Sequence, residues 1–489
     1  MGIPIPADPS KQSLTVTDNR TGKTYQIPIE NNSINATSFK AMKAKPQKGE
    51  RVEDEVEGGI RVYDPGYQNT AVISSRITFI DGERGILRYR GYPIEQLAEK
   101  STFLETSYLL LYGELPTTRQ FKLFEREVLH HTYVHRDVDE IVGAFRYDAH
   151  PMAILTSSLA ALGAFAPEAN PSLQGQKLYT QGDAASLAVM DKQIFRIIGK
   201  SISLAAMAYR IRQGRPFNQP PTGLDYTSTY LYLLDHLNEP NYKPNPVIAK
   251  ALDVLFLLHA DHEMNASAAA CLQVGSTLVD PYSAVSAACA ALYGPLHGGA
   301  NEAVIRMLLA IGSPDNVHEY LEKVKRKEVV LSGFGHRIYR TSDPRSFVIR
   351  KTAEEVFAVT GRDGLLETAI ALHDAALKDE YFVKRRLYPN VDFWSGLIYR
   401  ALGFPTDYFP VLFAVPRVVG WLSHWRQLML QKAGVKIWRP RQLYVGEGER
   451  DYVDIESRDE RPSKELSGEP TQVAHTFSKR VFLSREAKL

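Results

Sequence analysis

Three short segments of the chain each offer one ionisable side chain suited to proton transfer. They contain His297 in GPLHGGAN, His336 in GFGHR and Asp392 in NVD. Glycine flanks both histidines and lets backbone and ligand approach closely. A carboxylate can act as a base, and an imidazole can donate a hydrogen bond to a developing oxyanion. If the three side chains converge, they predict an enzyme that forms and uses an enol.

Structural interpretations of these segments remain open from the residues alone. GPLHGGAN suits a glycine-rich linker between helices, and Asp392 stands at the expected start of a helix, where aspartate is a common cap. Phe393 and Trp394 follow Asp392, and their apolar surface favours a desolvated and more basic carboxylate. The glycines before His336 suit a loop that binds a polar, extended ligand such as a nucleotide or pantetheine. Their spacing matches neither a Walker phosphate loop nor a dinucleotide fingerprint.

A fourth segment, HADHE (259–263), is rich in possible metal ligands. The apolar pattern predicts one helix over 246–272, which would place His259 and His262 on one face. A metal site is the weaker interpretation, because the further histidine of comparable metallohydrolase signatures is Leu257 here. Buried, hydrogen-bonded core histidines are the alternative.

Three arginines in apolar or proline-bounded sequence are candidates for anion binding. They are Arg345, Arg417 and Arg439. Arginine in such surroundings usually pairs with an anion, and guanidinium groups match carboxylates in a two-pronged fashion. Together they would suit a small di-acid, while structural ion pairs are the alternative for each.

Composition limits the class of protein. The 489 residues include 44% hydrophobic and 23% charged residues, which is ordinary for a globular chain of one large or several smaller domains. A net charge of +2 disfavours a nucleic-acid binder. Two cysteines exclude a disulfide framework and favour a reducing compartment. No apolar run is long enough for membrane insertion, and the N-terminus resembles neither a secretory signal nor a mitochondrial presequence.

The C-terminal sequence predicts a targeting signal. Ala487, Lys488 and Leu489 form a one-residue variant of the Ser-Lys-Leu peroxisomal signal. The preceding polar stretch, from 447 onward, is typical of a flexible tail that presents such a signal to an import receptor. We therefore expect a peroxisomal location, with the cytoplasm as the alternative.

Periodicity predicts a mainly α fold with a small β-rich N-terminal segment. Residues 11–30 suit a β-hairpin, and 71–90 show a second strand pattern broken at Asp81-Gly82. A helix begins near Pro93. Apolar spacing of three and four residues predicts further helices over 103–113, 118–135, 151–165, 184–213, 227–236, 246–272, 281–292, 300–311, 315–326, 344–359, 363–377, 393–402 and 407–431.

Taken together, the segments resemble the citrate synthase family. The resemblance spans roughly residues 64 to 446 in the family's order, and the strand-rich beginning and HADHEMN resemble the bacterial-type branch, most of all its peroxisomal and glyoxysomal members. The matching segments are RGYPIEQLAE (90–99), AHPM (149–152), HADHE (259–263), GPLHGGAN (294–301), GFGHR (333–337), SDPR (342–345), NVDFWSG (390–396), VPRVVGW (415–421) and WRPRQLYVG (438–446).

The resemblance implies a citrate (Si)-synthase, which condenses acetyl-CoA with oxaloacetate and water to give citrate and CoA. It implies that Asp392 removes a methyl proton of acetyl-CoA, that His297 stabilises the enol, and that His336 polarises the ketone of oxaloacetate. It further implies that no metal or other cofactor is needed. Oxaloacetate carboxylates would be bound by His262, Arg345, Arg417 and Arg439, with Arg439 contributed by the other subunit of a homodimer. The CoA-binding loop would comprise Leu331, Ser332, Gly333, Phe334 and Gly335.

The resemblance also implies a domain organisation and leaves the acyl group open. We expect an N-terminal extension with a β-hairpin, a large helical domain, a small helical domain that closes over it, and a flexible tail. Trp394 departs from the usual family pattern, and alkylcitrate or 2-methylcitrate synthases use longer acyl-CoAs. A non-catalytic helical scaffold is the alternative of another class. The expected boundaries are 1–63, 64–297 with 398–446, 298–397, and 447–489.

Overall fold

The computed structural model describes residues 12–44, 58–336, 338–361 and 364–458. The chain divides into two compact units. One comprises Val72–Arg439, and the other comprises Met1–Ala71 with Pro440–Leu489. The fold is mainly α with small β-sheets, as predicted. The predicted targeting residues Ala487, Lys488 and Leu489 lie outside the described residues.

The smaller unit contains the predicted N-terminal hairpin. Strands β1 (Ser13–Asp18) and β2 (Lys23–Glu30) pair antiparallel, and β3 (Ser33–Ile34) extends the sheet. Asp18 closes the turn, because its carboxylate accepts from the backbone and guanidinium of Arg20 at 3.0 Å. Short 3₁₀ turns follow within this unit at Ala36–Ala41 and Ile455–Ser457.

The larger unit begins with a second antiparallel sheet. Strands β4 (Thr78–Asp81), β5 (Ile86–Tyr89) and β6 (Tyr92–Pro93) lie in sequence order, and the break between β4 and β5 falls where Asp81-Gly82 predicts it.

Helices make up the rest of this unit, and eighteen lie in the described part of the chain. They are α1 (Ile94–Lys100), α2 (Phe103–Tyr112), α3 (Thr118–His130), α4 (Arg136–Gly143), α5 (Pro151–Ala164), α6 (Pro171–Gln174), α7 (Ala184–Arg212), α8 (Tyr226–Asp235), α9 (Pro246–His259), α10 (Ala266–Gly275), α11 (Pro281–Tyr293), α12 (Ala300–Ile311), α13 (Val317–Lys325), α14 (Pro344–Thr360), α15 (Gly364–Lys378), α16 (Glu380–Lys384), α17 (Val391–Ala401) and α18 (Phe409–Met429). None of these helices combines the length and apolar composition required to cross a membrane.

Helix α18 is the centre of the core. It is buried along almost its whole length and packs against α2, α7, α9, α10 and α11. Its apolar composition on all faces is typical of a helix enclosed by others. Both cysteines, on α10 and α11, are also buried and free, as their apolar sequence predicts.

The predicted single helix over 246–272 is wrong. Helix α9 ends at His259 and α10 begins at Ala266, so His259 and His262 do not share a helical face. Glu263 adopts a left-handed conformation with φ of 57°, and the Asn265 side chain caps α10 by accepting from the Ala268 N–H at 3.0 Å. The break places His262 in a loop against α18.

Glycine on α18 makes this close approach possible. The Gly420 N–H donates to the Ala260 carbonyl at 3.1 Å, and a Cβ at this position would lie 2.4 Å from that oxygen. Gly420 therefore lets the loop between α9 and α10 pack directly on the central helix.

Candidate active site

The loop between α9 and α10 is fixed through Asp261. This carboxylate is fully buried and accepts from His424 Nε2 at 3.2 Å and from the Thr78 hydroxyl at 2.5 Å. Burial raises the pKa of Asp261, but His424 and the Thr78 hydrogen bond outweigh that effect and lower it below its usual value. The ionised side chain of Asp261 is thus anchored by Thr78 and His424, and this fixes the loop immediately before His262.

His262 is held neutral. Its Nε2 is buried and has no hydrogen-bond partner in the described part of the chain. Burial lowers its pKa well below the usual value, and the charges of Arg345, His336 and Arg417 act in the same direction. The ring centroids of His262 and His336 are 5.3 Å apart. The two imidazoles therefore face a common space.

Backbone donors select the tautomer of His336. Its Nδ1 lies 3.0 Å from the Ile338 nitrogen and 3.1 Å from the Tyr339 nitrogen, so Nδ1 accepts from these two N–H groups. The ring proton is then on Nε2, which is a donor. Burial lowers the pKa of His336 to about 4, and Arg345 contributes to the decrease. At neutral pH this imidazole is an uncharged donor.

The glycine-rich loop before His336 is bonded to the segment before Asp392. The Gly335 N–H donates to the Tyr388 carbonyl at 2.7 Å, and the Asn390 N–H donates to the Gly333 carbonyl at 2.9 Å. Gly333 has φ of 78°, and a Cβ there would lie 2.6 Å from Val304 Cγ2. The loop predicted to bind CoA, with buried Leu331 and Phe334, therefore adjoins the predicted base.

Asp392 is not the helix cap. Asn390 is the N-cap of α17, since its Oδ1 accepts from the Asp392 N–H at 3.0 Å. In the described part of the chain, no hydrogen bond or ion pair occupies the Asp392 carboxylate. Burial raises its pKa to about 6, and the opposing charge of Arg345 is too weak to cancel this effect. The carboxylate is consequently available as a base of nearly neutral pKa.

Trp394 lies on α17 two positions after Asp392, and its side chain packs inward. It is buried, and its ring centroid lies 5.2 Å from Phe393 and 5.6 Å from His373.

His297 presents the opposite tautomer from His336. It follows α11, and the Ser267 N–H donates to its Nε2 at 3.3 Å, with the Ser267 hydroxyl at 2.9 Å. Trp421 Nε1 in turn donates to that hydroxyl at 3.1 Å. Burial lowers the pKa of His297 to about 4, helped by the charge of Arg417. With Nε2 accepting, the ring proton is on Nδ1, which remains as a donor.

Two buried arginines differ in how their charge is balanced. Arg345 binds the Asp343 carboxylate at both oxygens, at 3.0 and 2.7 Å. Arg417 donates from Nε to the His259 carbonyl at 2.6 Å and lies 4.7 Å from the Phe413 ring, but no described carboxylate forms an ion pair with it. Burial lowers the pKa of Arg417 to about 10. A buried guanidinium without a carboxylate partner calls for an anionic ligand.

These groups are brought into one neighbourhood. Asp392 is subject to the charges of Arg345 and Arg417, His297 to that of Arg417, and His336 to that of Arg345. The structure thus gathers six of the predicted site residues in one region: His262, His297, His336, Arg345, Arg417 and Asp392.

Arg439 is not part of this cluster within the one chain. It is exposed, and no hydrogen bond or ion pair joins it to the clustered residues in the described ranges. Its neighbour Trp438 is tied to the end of α10, where the Trp438 N–H donates to Ser276 Oγ at 3.0 Å.

Sequence reasoning missed the residues that hold the site residues in place. Asp261, His424, Ser267 and Asn390 each bond to a site residue or its neighbour. Asp343, Asp261 and Asn390 lie within the quoted SDPR, HADHE and NVDFWSG segments, but nothing in those segments indicates their supporting contacts. His424 and Ser267 have no local signal, because their partners Asp261 and His297 are distant in sequence. Among the described residues, no group of three or more His, Cys, Asp or Glu is arranged to hold a metal ion.

Known proteins resemble the chain over most of its length. Residues 66–441 match the family model described as citrate synthase, C-terminal domain. The chain is 53% identical over 455 residues to the peroxisomal citrate synthase of Dictyostelium discoideum, covering 93% of this chain and 89% of that protein. It is 51% identical over 454 residues to the glyoxysomal citrate synthase of Cucurbita maxima, covering 93% and 85%.

Solved structures give the same result. Citrate synthase from Pyrobaculum aerophilum matches with a TM-score of 0.74 and 36% identity, covering 81% of this chain and 97% of that one. The Thermoplasma acidophilum enzyme, in a ternary complex with carboxymethyl coenzyme A and oxaloacetate, matches with a TM-score of 0.71 and 30% identity, covering 80% and 98%. The chain belongs to the citrate synthase family and is an enzyme that condenses acetyl-CoA with oxaloacetate and water to give citrate and CoA.

Proposed function

We propose that Asp392, His297 and His336 perform the chemistry of this condensation. The observation that carries the assignment is the buried, carboxylate-free guanidinium of Arg417 beside two neutral imidazoles, which suits an anionic ketone substrate. In the first step Asp392 accepts a methyl proton of acetyl-CoA. Its pKa of about 6 leaves it ionised at neutral pH and still basic enough to accept that proton.

His297 acts on the thioester. Its Nδ1–H donates to the thioester oxygen as negative charge develops there. The neutral form suits this role, because an uncharged donor stabilises an enol without binding the ground-state thioester too strongly. Ser267 fixes the ring by donating to Nε2.

His336 acts on the ketone. Its Nε2–H donates to the ketone oxygen of oxaloacetate and transfers a proton as the enol carbon attacks the ketone carbon. The proton is restored to Nε2 from those released when water cleaves the thioester. The product is a citryl thioester, and water then cleaves it to citrate and CoA. His262, Arg345 and Arg417 hold the oxaloacetate carboxylates, since paired guanidiniums suit a di-acid. These steps use only side chains, the two substrates and water, and we propose no metal or redox cofactor.

We propose that residues 298–397 form the small domain that closes over the large one, 64–297 with 398–446, and that the loop Leu331–Gly335 contacts CoA. In support, α12 packs on α15 and α17 within the small segment. Closure would exclude water until the carbon–carbon bond has formed. The boundaries 1–63 and 447–489 complete this division.

We further propose a homodimer in which Arg439 completes the partner's site. Arg439 is exposed, and Ile437, two positions before it in the same unit, exposes 68% of its surface. Exposed apolar side chains of this size are typical of a surface that another chain covers.

A peroxisomal location is supported by two observations. Relatives from Dictyostelium discoideum and Cucurbita maxima are named peroxisomal and glyoxysomal. The tripeptide Ala487-Lys488-Leu489 resembles the import signal, so an import receptor is the proposed partner.

The pH dependence of catalysis should report Asp392. We expect kcat/KM for acetyl-CoA to fall as pH decreases through about 6, because the raised pKa of Asp392 leaves the base protonated below that value. His297 and His336 stay neutral down to about pH 4, so their protonation does not change the rate above pH 5. Steady-state rates between pH 5 and 8, with each sample re-assayed at pH 7.5 to exclude denaturation, provide the measurement. A flat profile down to pH 5 would contradict the assignment.

Replacing Asp392 by Ala should abolish turnover but preserve oxaloacetate binding. We expect CoA release, followed with a thiol reagent, to fall by about 10³-fold or more. Calorimetry should show an oxaloacetate Kd within about threefold of the original, because the carboxylate binding groups remain. Asp451→Ala, at an exposed position, is the matched control. Near-normal turnover of Asp392→Ala would refute the role of Asp392 as the base.

The same assay of the original protein with longer acyl-CoAs separates citrate from alkylcitrate synthesis.

Active-site complementation tests the shared arginine. Asp392→Ala and Arg439→Ala should each be inactive alone. When the two are co-expressed, about half of the dimers are mixed and each holds one complete site, so about a quarter of the original activity should return. If Arg439 served its own subunit, no mixed site would be complete and activity would stay at the level of the single variants.

Masking the C-terminus tests the proposed peroxisomal targeting signal. A folded fluorescent domain fused after Leu489 should leave the protein cytosolic in a eukaryotic host, because the receptor reads a free C-terminal tripeptide. The same domain fused before Met1 should permit peroxisomal import, scored by overlap with a peroxisomal marker. Continued import of the C-terminal fusion would count against the signal.

A further inference from the structure

The β4–β5 hairpin contacts two loops of the candidate site, one at each of its ends. Thr78 and Tyr89 face each other in the antiparallel register at the open end. The turn between Asp81 and Ile86 forms the other end. None of these residues has a role in the chemistry proposed above, so their contacts need a separate explanation.

At the open end, the hairpin holds Asp261. Tyr89 is fully buried, and its hydroxyl donates to the Asp261 carbonyl at 2.8 Å and accepts from the Asp261 N–H at 3.2 Å. The Thr78 hydroxyl donates to Asp261 Oδ2 at 2.5 Å. Two directly paired strand residues therefore fix both the backbone and the side chain of the residue before His262.

At the turn end, the hairpin packs against the segment 338–342. The Arg340 N–H donates to the Gly82 carbonyl at 2.8 Å. A Cβ on Gly82 would lie 2.2 Å from the Ile338 carbonyl oxygen, and one on Gly85 would lie 2.6 Å from Thr341 Oγ1. Only glycine allows the turn to lie this close to the segment's backbone.

The segment 338–342 determines the orientation of His336. Its first two N–H groups, of Ile338 and Tyr339, are the donors that fix His336 Nδ1. The segment then leads into Asp343 and Arg345, which form the buried ion pair. The turn of the hairpin thus supports the donor residue and one of the predicted carboxylate-binding residues.

We propose that the β4–β5 hairpin is a template that sets the spacing of His262 and His336, with Thr78, Tyr89 and Gly82 as positioning residues. The inference rests on the proposed roles of these two histidines in binding oxaloacetate. A paired hairpin has a fixed length and register, so it holds its two ends at a constant separation. The closure proposed for 298–397 then takes place with the contact between the hairpin turn and 338–342 intact. Displacement of a binding group by about 1 Å can reduce catalysis by about 100-fold.

The hairpin affects the binding of oxaloacetate but not that of acetyl-CoA. His297, which is proposed to bind the thioester, is fixed by Ser267 and Trp421 and has no described hydrogen bond to the hairpin. Loosening the hairpin should therefore weaken oxaloacetate binding and leave acetyl-CoA binding unchanged. A purely structural role would lower the thermal midpoint or affect both substrates alike.

Replacing Tyr89 by Phe removes the hydroxyl and keeps the ring. We expect the oxaloacetate Kd, measured by calorimetry without acetyl-CoA, to rise about tenfold, because a buried N–H and carbonyl of Asp261 lose their partner. The KM for acetyl-CoA at saturating oxaloacetate should change by less than about twofold. Tyr226→Phe is the matched control, since that buried hydroxyl donates to the Ile198 carbonyl at 2.9 Å.

Two further pairs of variants distinguish a specific loss of oxaloacetate binding from general misfolding. Thr78→Val should weaken oxaloacetate binding, whereas Thr78→Ser, which keeps the hydroxyl, should restore it. Gly82→Ala should act like Tyr89→Phe, because its Cβ displaces the 338–342 segment, whereas Gly143→Ala meets nothing within 4 Å.

The inference is overturned if Tyr89→Phe and Gly82→Ala lower the thermal midpoint but leave the oxaloacetate Kd unchanged. It is also overturned if they weaken both substrates equally. Failure of the proposed function is a different result, because Asp392→Ala would then retain turnover whatever the hairpin variants do.

Discussion

Burial of positive charge beside uncharged imidazoles is the constraint on which the site depends. Arg345 offsets its charge with Asp343, whereas Arg417 forms no ion pair among the described residues and instead donates to the His259 carbonyl beside the Phe413 ring. A low-dielectric region with this positive potential disfavours protonation of His262, His297 and His336. The same region attracts a di-anion. Substrate preference and histidine protonation therefore have one physical origin.

That constraint also tunes the base. Burial raises the pKa of Asp392, whereas Arg345 and Arg417 lower it, and the balance leaves it at about 6. Burial without the arginines would raise this pKa further, and full exposure would leave a carboxylate of ordinary pKa, which is a weaker base. Donors on opposite ring nitrogens of His297 and His336 follow from backbone N–H groups that occupy the other nitrogen of each ring. The backbone thus assigns the proton of each imidazole before any substrate arrives.

Much of the fold was predictable, since apolar spacing and the Asp81-Gly82 signal identify most helices and both hairpins. The break at His259–Ala266 was not, because apolar periodicity continues through it. Its cause is tertiary, as Asp261 bonds to Thr78, Tyr89 and His424, far away in the chain. The clustered site residues could be singled out from their residue types and sequence context, and the family resemblance implied their roles, whereas their environment was not visible in the sequence. Asn390, rather than Asp392, is the helix cap, and only the structure distinguishes the two.

The bonds to Asp261 have a consequence for how the protein folds. They join residues separated by 163 to 183 positions, and Arg417 reaches the His259 carbonyl across 158. Contacts of such separation form late, because the intervening chain must first be ordered. A molecule in which α18 has not yet docked would lack the loop geometry around His262, whatever helices it contains. Recovery of activity after denaturation should consequently lag behind recovery of helical signal, and newly synthesised chains remain inactive until α18 has emerged and docked.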